Sequence, residues 1–193
     1  MAKTASLPFK GSFSHSQDFG ANPARYARYG LAGHDGNDWL MPEGTPLYSP
    51  VTGKVLRHGD DPSGWGKYLQ IWDSGQNLLI NIAHTSALLA ITGAFVRAGQ
   101  QVAVSGNTGN SDAPHVHVAA ADTDAAGNRL NQGNGYKGWY SILDSAKISL
   151  VALPSGSIAD GSQATDADTI PPSGATVLTF DQIYAQYYPG WDK

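Results

Sequence analysis

Apolar positions along this chain come in short runs cut by glycine and proline, and few keep the spacing of an amphipathic helix. Between Trp39 and Ala120, residues 47–49, 54–58, 67–72, 78–83, 101–105 and 116–120 read as strands. Pro42-Glu43-Gly44-Thr45-Pro46 and Pro50-Val51-Thr52-Gly53 read as turns, and residues 59–64 as a loop. Gly106-Asn107-Thr108-Gly109-Asn110-Ser111 is a turn that feeds the last strand. The runs 67–72 and 78–83 flank Asp73-Ser74-Gly75-Gln76-Asn77, which predicts a hairpin. Short strands at roughly ten-residue spacing predict a mostly β fold with few short helices, an antiparallel sheet folded on itself or packed as a sandwich.

Outside those runs the pattern weakens. Residues 1–21 read as irregular. Residues 22–30 predict a short helix, with Asn22 at the N-cap, Pro23 at the first helical position and Gly30 after the last turn. Residues 87–90 suit a single helical turn or a loop, 124–138 a Gly/Asn-rich loop, and 139–146 a short helix. Residues 1–153 are read as one domain and 154–174 as a Ser/Gly/Pro linker carrying acidic residues. In 175–193, Thr179 and Gln182 have capping-box spacing, and Phe180, Ile183, Tyr184 and Tyr187 share a helical face. That predicts a short docking element on a tether, stopped by Pro189-Gly190.

Composition narrows the class. A chain of 193 residues, 41% hydrophobic and only 15% charged, holds one sizeable core. Residues 1–153 balance their charges. The net charge of −4 comes from Asp160, Asp166, Asp168, Asp181 and Asp192 set against Lys193. No basic face points to nucleic acid. No apolar stretch approaches the ~20 residues needed to cross a bilayer, so membrane insertion is not expected. The first nine residues lack the apolar core of a secretory signal. The expectation is a protein that stays inside, leaves by another route, or has its signal outside this sequence. Without cysteine, any metal must be held by His, Asp or Glu.

Three stretches offer such ligands. In Gly33-His34-Asp35-Gly36-Asn37-Asp38, a turn at Gly36 can fold His34 and Asp38 onto one centre. In Ala113-Pro114-His115-Val116-His117-Val118, strand geometry puts His115 and His117 on one face, roughly 6–7 Å apart at the backbone. One of them can bind a metal while the other stands beside the metal's water. His84, at the end of its own strand, can add a further imidazole. His15 and His58 have no such company and are read as non-catalytic, with His58 placed to pair with Asp60 or Asp61.

In order and spacing, over about residues 17–120, these stretches resemble the lysostaphin-like zinc endopeptidases that cut peptidoglycan. Gly64-Trp65-Gly66 and Val96-Arg97-Ala98-Gly99-Gln100-Gln101-Val102 fall where that family carries similar turns. The lead-in Gln17-Asp18-Phe19-Gly20-Ala21-Asn22-Pro23 is similar to phage-related members. The resemblance implies His34, Asp38 and His117 as ligands of one Zn2+ per chain, with His84 and His115 as catalytic histidines. It also implies bacterial peptidoglycan as the substrate, reached by a phage or prophage lysin through lysis or carriage in a particle. Ile82, where the family often has Tyr, Asn37, where it has an apolar residue, and Val118-Ala119-Ala120 depart from the pattern without removing a ligand. A zinc-bearing scaffold of a virion or envelope is the competing expectation. A carbohydrate-binding β-module, suggested by the Trp and Tyr content, leaves the histidines unexplained.

Overall fold

Residues 2–154 are described by the structure, a computed structural model. In chain order the strands are β1 (Lys3–Ala5), β2 (Ser14–Gln17), β3 (Asn37–Leu40), β4 (Pro46–Tyr48), β5 (Gly53–Asp61), β6 (Gly66–Asp73), β7 (Leu78–Leu88), β8 (Phe95–Val96), β9 (Gln101–Ser105), β10 (His115–Asp122), β11 (Trp139–Ser141) and β12 (Ile148–Leu150). A short helix, α1 (Pro23–Tyr26), runs on into a 3-10 turn over Ala27–Tyr29. Ten strands form one antiparallel sheet whose main path is β2-β3-β10-β7-β6-β5-β8. β11 joins β10, and the β4–β9 pair joins β7 through β9. β1 and β12 pair separately and in parallel. The fold is therefore mostly β and antiparallel, as the alternation and turn spacing predict.

The middle of the sheet is buried on both faces because its strands are apolar on both. On one face Leu78, Ile80 and Ile82 of β7 pack with Leu69, Ile71, Val116, Val118 and Trp39 in the main core. On the other, Leu79, Ala119, Ala121 and Trp139 form a smaller cluster flanked by Trp65 and Trp72. The small alanines of β10 let the Trp139 ring lie close to the sheet. The β6–β7 hairpin turns where predicted, and the Asp73 carboxylate accepts the backbone N–H groups of Gly75 and Gln76.

Several local expectations are corrected. Residues 1–21 contain β1 and β2. β2 carries Ser-His-Ser-Gln and has no buried residue, so it shows no apolar alternation, and its ladder to β3 holds it in place. β5 continues through Asp61 into the stretch read as a loop, held by its ladder to β6. Ala87 and Leu88 end β7 as strand. Residues 139–146 are not helical: β11 occupies the part of β10's edge that β3 leaves open, and turns follow. Asn22 takes a left-handed conformation (φ 50°) with no side-chain cap, although the helix starts at Pro23 and Gly30 ends it at φ 69°. Both the linker beyond Pro154 and the 175–193 element lie outside the described residues. Among the described residues, no helix is long and apolar enough to cross a membrane.

Candidate metal centre and catalytic site

The register of three strands builds the site. β10 lies between β3 and β7, so His117 stands opposite Asp38 on one side and Ala83 on the other. His34 arrives from the loop before β3, pinned by backbone bonds to Gly20 and Ala21. Its Nδ1 donates to the Asp18 carbonyl at 3.1 Å, which leaves Nε2 bare and facing inward. His34 Nε2 lies 2.9 Å from His117 Nδ1 and 3.2 Å from Asp38 Oδ1, and His117 Nδ1 lies 3.0 Å from that oxygen. All three residues are buried.

Three donor atoms at these separations fit the corners of a metal's coordination shell. Tetrahedral ligands on bonds of ~2.0–2.1 Å sit about 3.3–3.5 Å apart, so a small expansion admits an ion. Two imidazoles and a carboxylate, with no thiolate, are a chemically sensible set. A second carboxylate competes for the place: donor atoms of His34, Asp35 and His117 also fall within 4.8 Å of one another. Asp38 is the better fit, because its oxygen touches the two nitrogens that already face each other. Asp35 Oδ1 stands 3.8 Å from the opposite nitrogen of His117, Nε2. Burial pushes the Asp38 carboxyl up, but the close approach of His117 and His34 outweighs it and holds the group well below the usual carboxylate range.

His84 and His115 flank this cluster. Their ring centroids are 4.5 Å apart, and His84 is 5.9 Å from His117. Each ring is oriented through Nδ1. His84 Nδ1 donates to the Thr108 carbonyl at 2.8 Å, and His115 Nδ1 to the Ala113 carbonyl at 2.8 Å, with Ser111 Oγ at 3.0 Å. Both therefore present an unprotonated Nε2. Burial, with the neighbouring His117 and His115, pushes His84 down to about 3. Burial also lowers His115, partly offset by the charge of Asp38. Burial thus favours the neutral form of both rings.

His84 is placed by an unusual backbone. Its φ is 60°, in the left-handed region, at an irregularity of the β6–β7 ladder. Its N–H donates to the Trp65 carbonyl at 2.9 Å. The partners sit on two turns packed backbone to backbone: a Cβ on Gly109 would fall 2.2 Å from Gly66 N, and one on Gly66 2.4 Å from the Thr108 carbonyl carbon. Gly66 and Gly109, both at positive φ, permit that approach.

Thus the structure brings together His34, Asp38, His84, His115 and His117. His15 stays outside, against Trp39 and Asn37. His58 also stays outside, and the expected carboxylate pairing is corrected: its ring bonds Thr92 at 2.9 Å, because the ladder turns it towards the neighbouring segment. Sequence reasoning missed Asp35, the carbonyls of Thr108 and Trp65, and Tyr26. Tyr26 packs on His34 at 5.2 Å, and burial with the Asp38 charge pushes its hydroxyl up to about 12. A groove lined by Tyr26, Tyr29, Leu31, Trp65, Arg129 and Lys137 runs alongside the site.

Comparison with known proteins follows the same residues. Over 87 residues the chain is 37% identical to the peptidoglycan DD-endopeptidase ShyA of Vibrio cholerae, a match covering 45% of this chain and 20% of that protein. The chain matches only 20–30% of the length of the first such curated relatives. The catalytic domain of the antimicrobial peptidase lysostaphin from Staphylococcus simulans superposes with a TM-score of 0.52 at 27% identity, covering 58% of this chain and 82% of that one. The catalytic domain of the prophage-encoded protein EnpA from Enterococcus faecalis, in a point-mutant form, gives 0.53 at 29% identity, covering 67% and 95%. Since the model of peptidase family M23 matches residues 32–129, about half the chain and the stretch that holds all five of these side chains, the chain belongs to peptidase family M23.

Proposed function

We propose that this chain is a zinc-dependent endopeptidase that hydrolyses peptide bonds in the stem peptides or cross-bridges of bacterial peptidoglycan. The observation that carries the reading is the triangle of His34 Nε2, Asp38 Oδ1 and His117 Nδ1, with edges of 2.9–3.2 Å. Two neutral imidazoles stand beside it. In this reading His34, Asp38 and His117 hold one Zn2+, and His84 and His115 do the proton work. The ion, when bound, supplies a Lewis acid for the scissile carbonyl and makes a water acidic enough to attack at neutral pH.

The chain's own residues account for the remaining steps. His84 and His115 are fixed through Nδ1, so each aims a bare Nε2 without having to reorient. The ring that takes the attacking water's proton returns it to the leaving amine. The other ring flanks the place where the oxyanion develops. No glutamate stands among these side chains, so the proton work falls to histidine. The groove beside them suits an extended peptide.

The wall as substrate is supported by the likeness to ShyA, a peptidoglycan DD-endopeptidase, and by the family. A phage or prophage lysin is the finer reading, supported by the lead-in at residues 17–23 and by the likeness to prophage-encoded EnpA. The test is digestion of purified peptidoglycan followed by mass analysis of the fragments, with chelation and His117→Ala as controls. New amino termini at one peptide linkage, lost in both controls, are expected. Zinc-loaded protein that cuts no peptidoglycan from a broad panel overturns the proposal.

A further inference from the structure

The two ring nitrogens of His117 have unlike surroundings. Nδ1 faces His34 and Asp38. Nε2 is buried and bonds no described residue. If Nδ1 is to hold a metal it must be free of its proton, and the neutral ring then carries that proton on Nε2. A buried N–H donor needs an acceptor. Asp35 Oδ1, at 3.8 Å, is the carboxylate beside it. Asp35 is itself only 5% exposed, and its carboxylate makes no hydrogen bond to another described residue. The buried Nε2 is the group that lacks a partner, and Asp35 is the carboxylate placed to supply one.

Gly36 supplies an independent observation. A Cβ there would fall 2.5 Å from Cε1 and 2.6 Å from Nε2 of His117. The loop backbone is thus pressed against the ring edge that carries Nε2, and glycine is what allows it. Asp35 and Gly36 together back the imidazole from the side opposite Asp38.

We propose that Asp35 is a positioning residue of the metal centre, accepting the Nε2 hydrogen of His117 and so fixing the tautomer and orientation that present Nδ1. This rests on the reading of His117 as a ligand. An adjustment of about 1 Å turns the 3.8 Å separation into a hydrogen bond. The rival arrangement has Asp35 as third ligand in place of Asp38, and the two alanine variants separate it from the proposal.

The test is metal affinity, measured by competing a chelator with zinc for the metal-free full chain and for Asp35→Ala, Asp35→Asn and Asp38→Ala. The isosteric Asp35→Asn guards against misfolding of the alanine variant. Asp38→Ala should abolish tight binding. Asp35→Ala should weaken it about 10–100-fold, and Asp35→Asn, which keeps an oxygen acceptor, should recover part of that loss. In the zinc-loaded wild type, the His117 Nε2–H should appear in nitrogen-15 spectra as a slowly exchanging proton, and it should exchange rapidly in Asp35→Ala. Wild-type affinity and an unchanged resonance in Asp35→Ala overturn the proposal and leave the ligand reading standing. A wild type that takes no zinc, or an Asp38→Ala variant that binds as tightly as wild type, overturns the ligand reading and the proposal with it.

Discussion

Replacing His84 by alanine and by glycine separates its backbone role from its ring. Left-handed backbone costs a residue with a Cβ ~1–2 kcal/mol, and His84 carries that cost at φ 60°. Both substitutions delete the same ring and the same bond to Thr108. Alanine keeps the left-handed penalty, whereas glycine is free of it. Against this, glycine's extra freedom in the unfolded chain costs ~0.4–1 kcal/mol. The balance favours glycine by about 0.5–1 kcal/mol, the reverse of the usual order inside a strand, where alanine leads by a similar amount. Urea unfolding of the two metal-free variants measures it. With m near 2 kcal/mol/M, the glycine midpoint should lie about 0.3–0.5 M higher. Both variants should fail to cut peptidoglycan, since neither offers an imidazole. An alanine variant as stable as the glycine variant, or more stable, would refute the claim that strained backbone aims this ring.

Other consequences are open to equally direct measurement. Gly36→Ala should lower stability by ~1–3 kcal/mol through overpacking and weaken zinc binding too, because the new methyl group meets the His117 ring and the Val118 carbonyl; unchanged unfolding and affinity would contradict the packing. Chelation should abolish cleavage, with zinc restoring it, while far-ultraviolet circular dichroism keeps the β spectrum, since His34, Asp38 and His117 bond one another and the core lies elsewhere. Added zinc should then raise the melting temperature by mass action. Asp122 bonds Lys3, Lys147 and Tyr140, and although burial pushes its carboxyl up, these partners hold it down at about 2. A depressed carboxylate stabilises the fold above its unfolded value of about 3.9, and that stability is lost as pH falls towards 2. Asp122→Asn should therefore cost about 1 kcal/mol at pH 7 and flatten the acid limb of stability between pH 4 and 2; an unaltered limb would remove Asp122 from that role.

What could be read from the sequence was whatever is local. A period of two puts His115 and His117 on one face, and a glycine turn returns Asp38 towards His34. The glycine and asparagine of 106–111 mark a turn. What could not be read depends on the third dimension or on backbone groups. Thr108 and Trp65 orient His84 through carbonyls, which every residue possesses, so side-chain identity carries no signal. β2 is wholly polar and forms because β3 offers an open edge. Asp35 is visible as a neighbour of His34, but its place beside Nε2 of His117, far along the chain, is set by the fold. For His58 nearness in sequence misled: Asp60 and Asp61 lie close along the strand, yet the ring bonds Thr92.

The link between core and chemistry lies in register. Asp38 faces His117 in the same ladder that sets Trp39 opposite Val116 and Asn37 opposite Val118. Trp39, Val116 and Val118 belong to the main core. A one-residue slip of β3 would put Trp39 on the site face and Asp38 against the core, at the cost of a buried carboxylate without its imidazoles. The slip that destroys the metal triangle is thus also the slip that the core forbids. His34 and His84 are fixed differently, by loop hydrogen bonds and a left-handed backbone, so their placement relies on local devices. Substitutions in the core of β3 and β10 should therefore disturb metal affinity only as they disturb folding. Substitutions in the turns at Gly66 and Gly109 should impair cleavage while leaving zinc bound, because those turns hold His84 and none of the three proposed ligands. Zinc affinity and cleavage measured side by side on Gly109→Ala test that division, and joint loss of both in a folded protein would show it to be false.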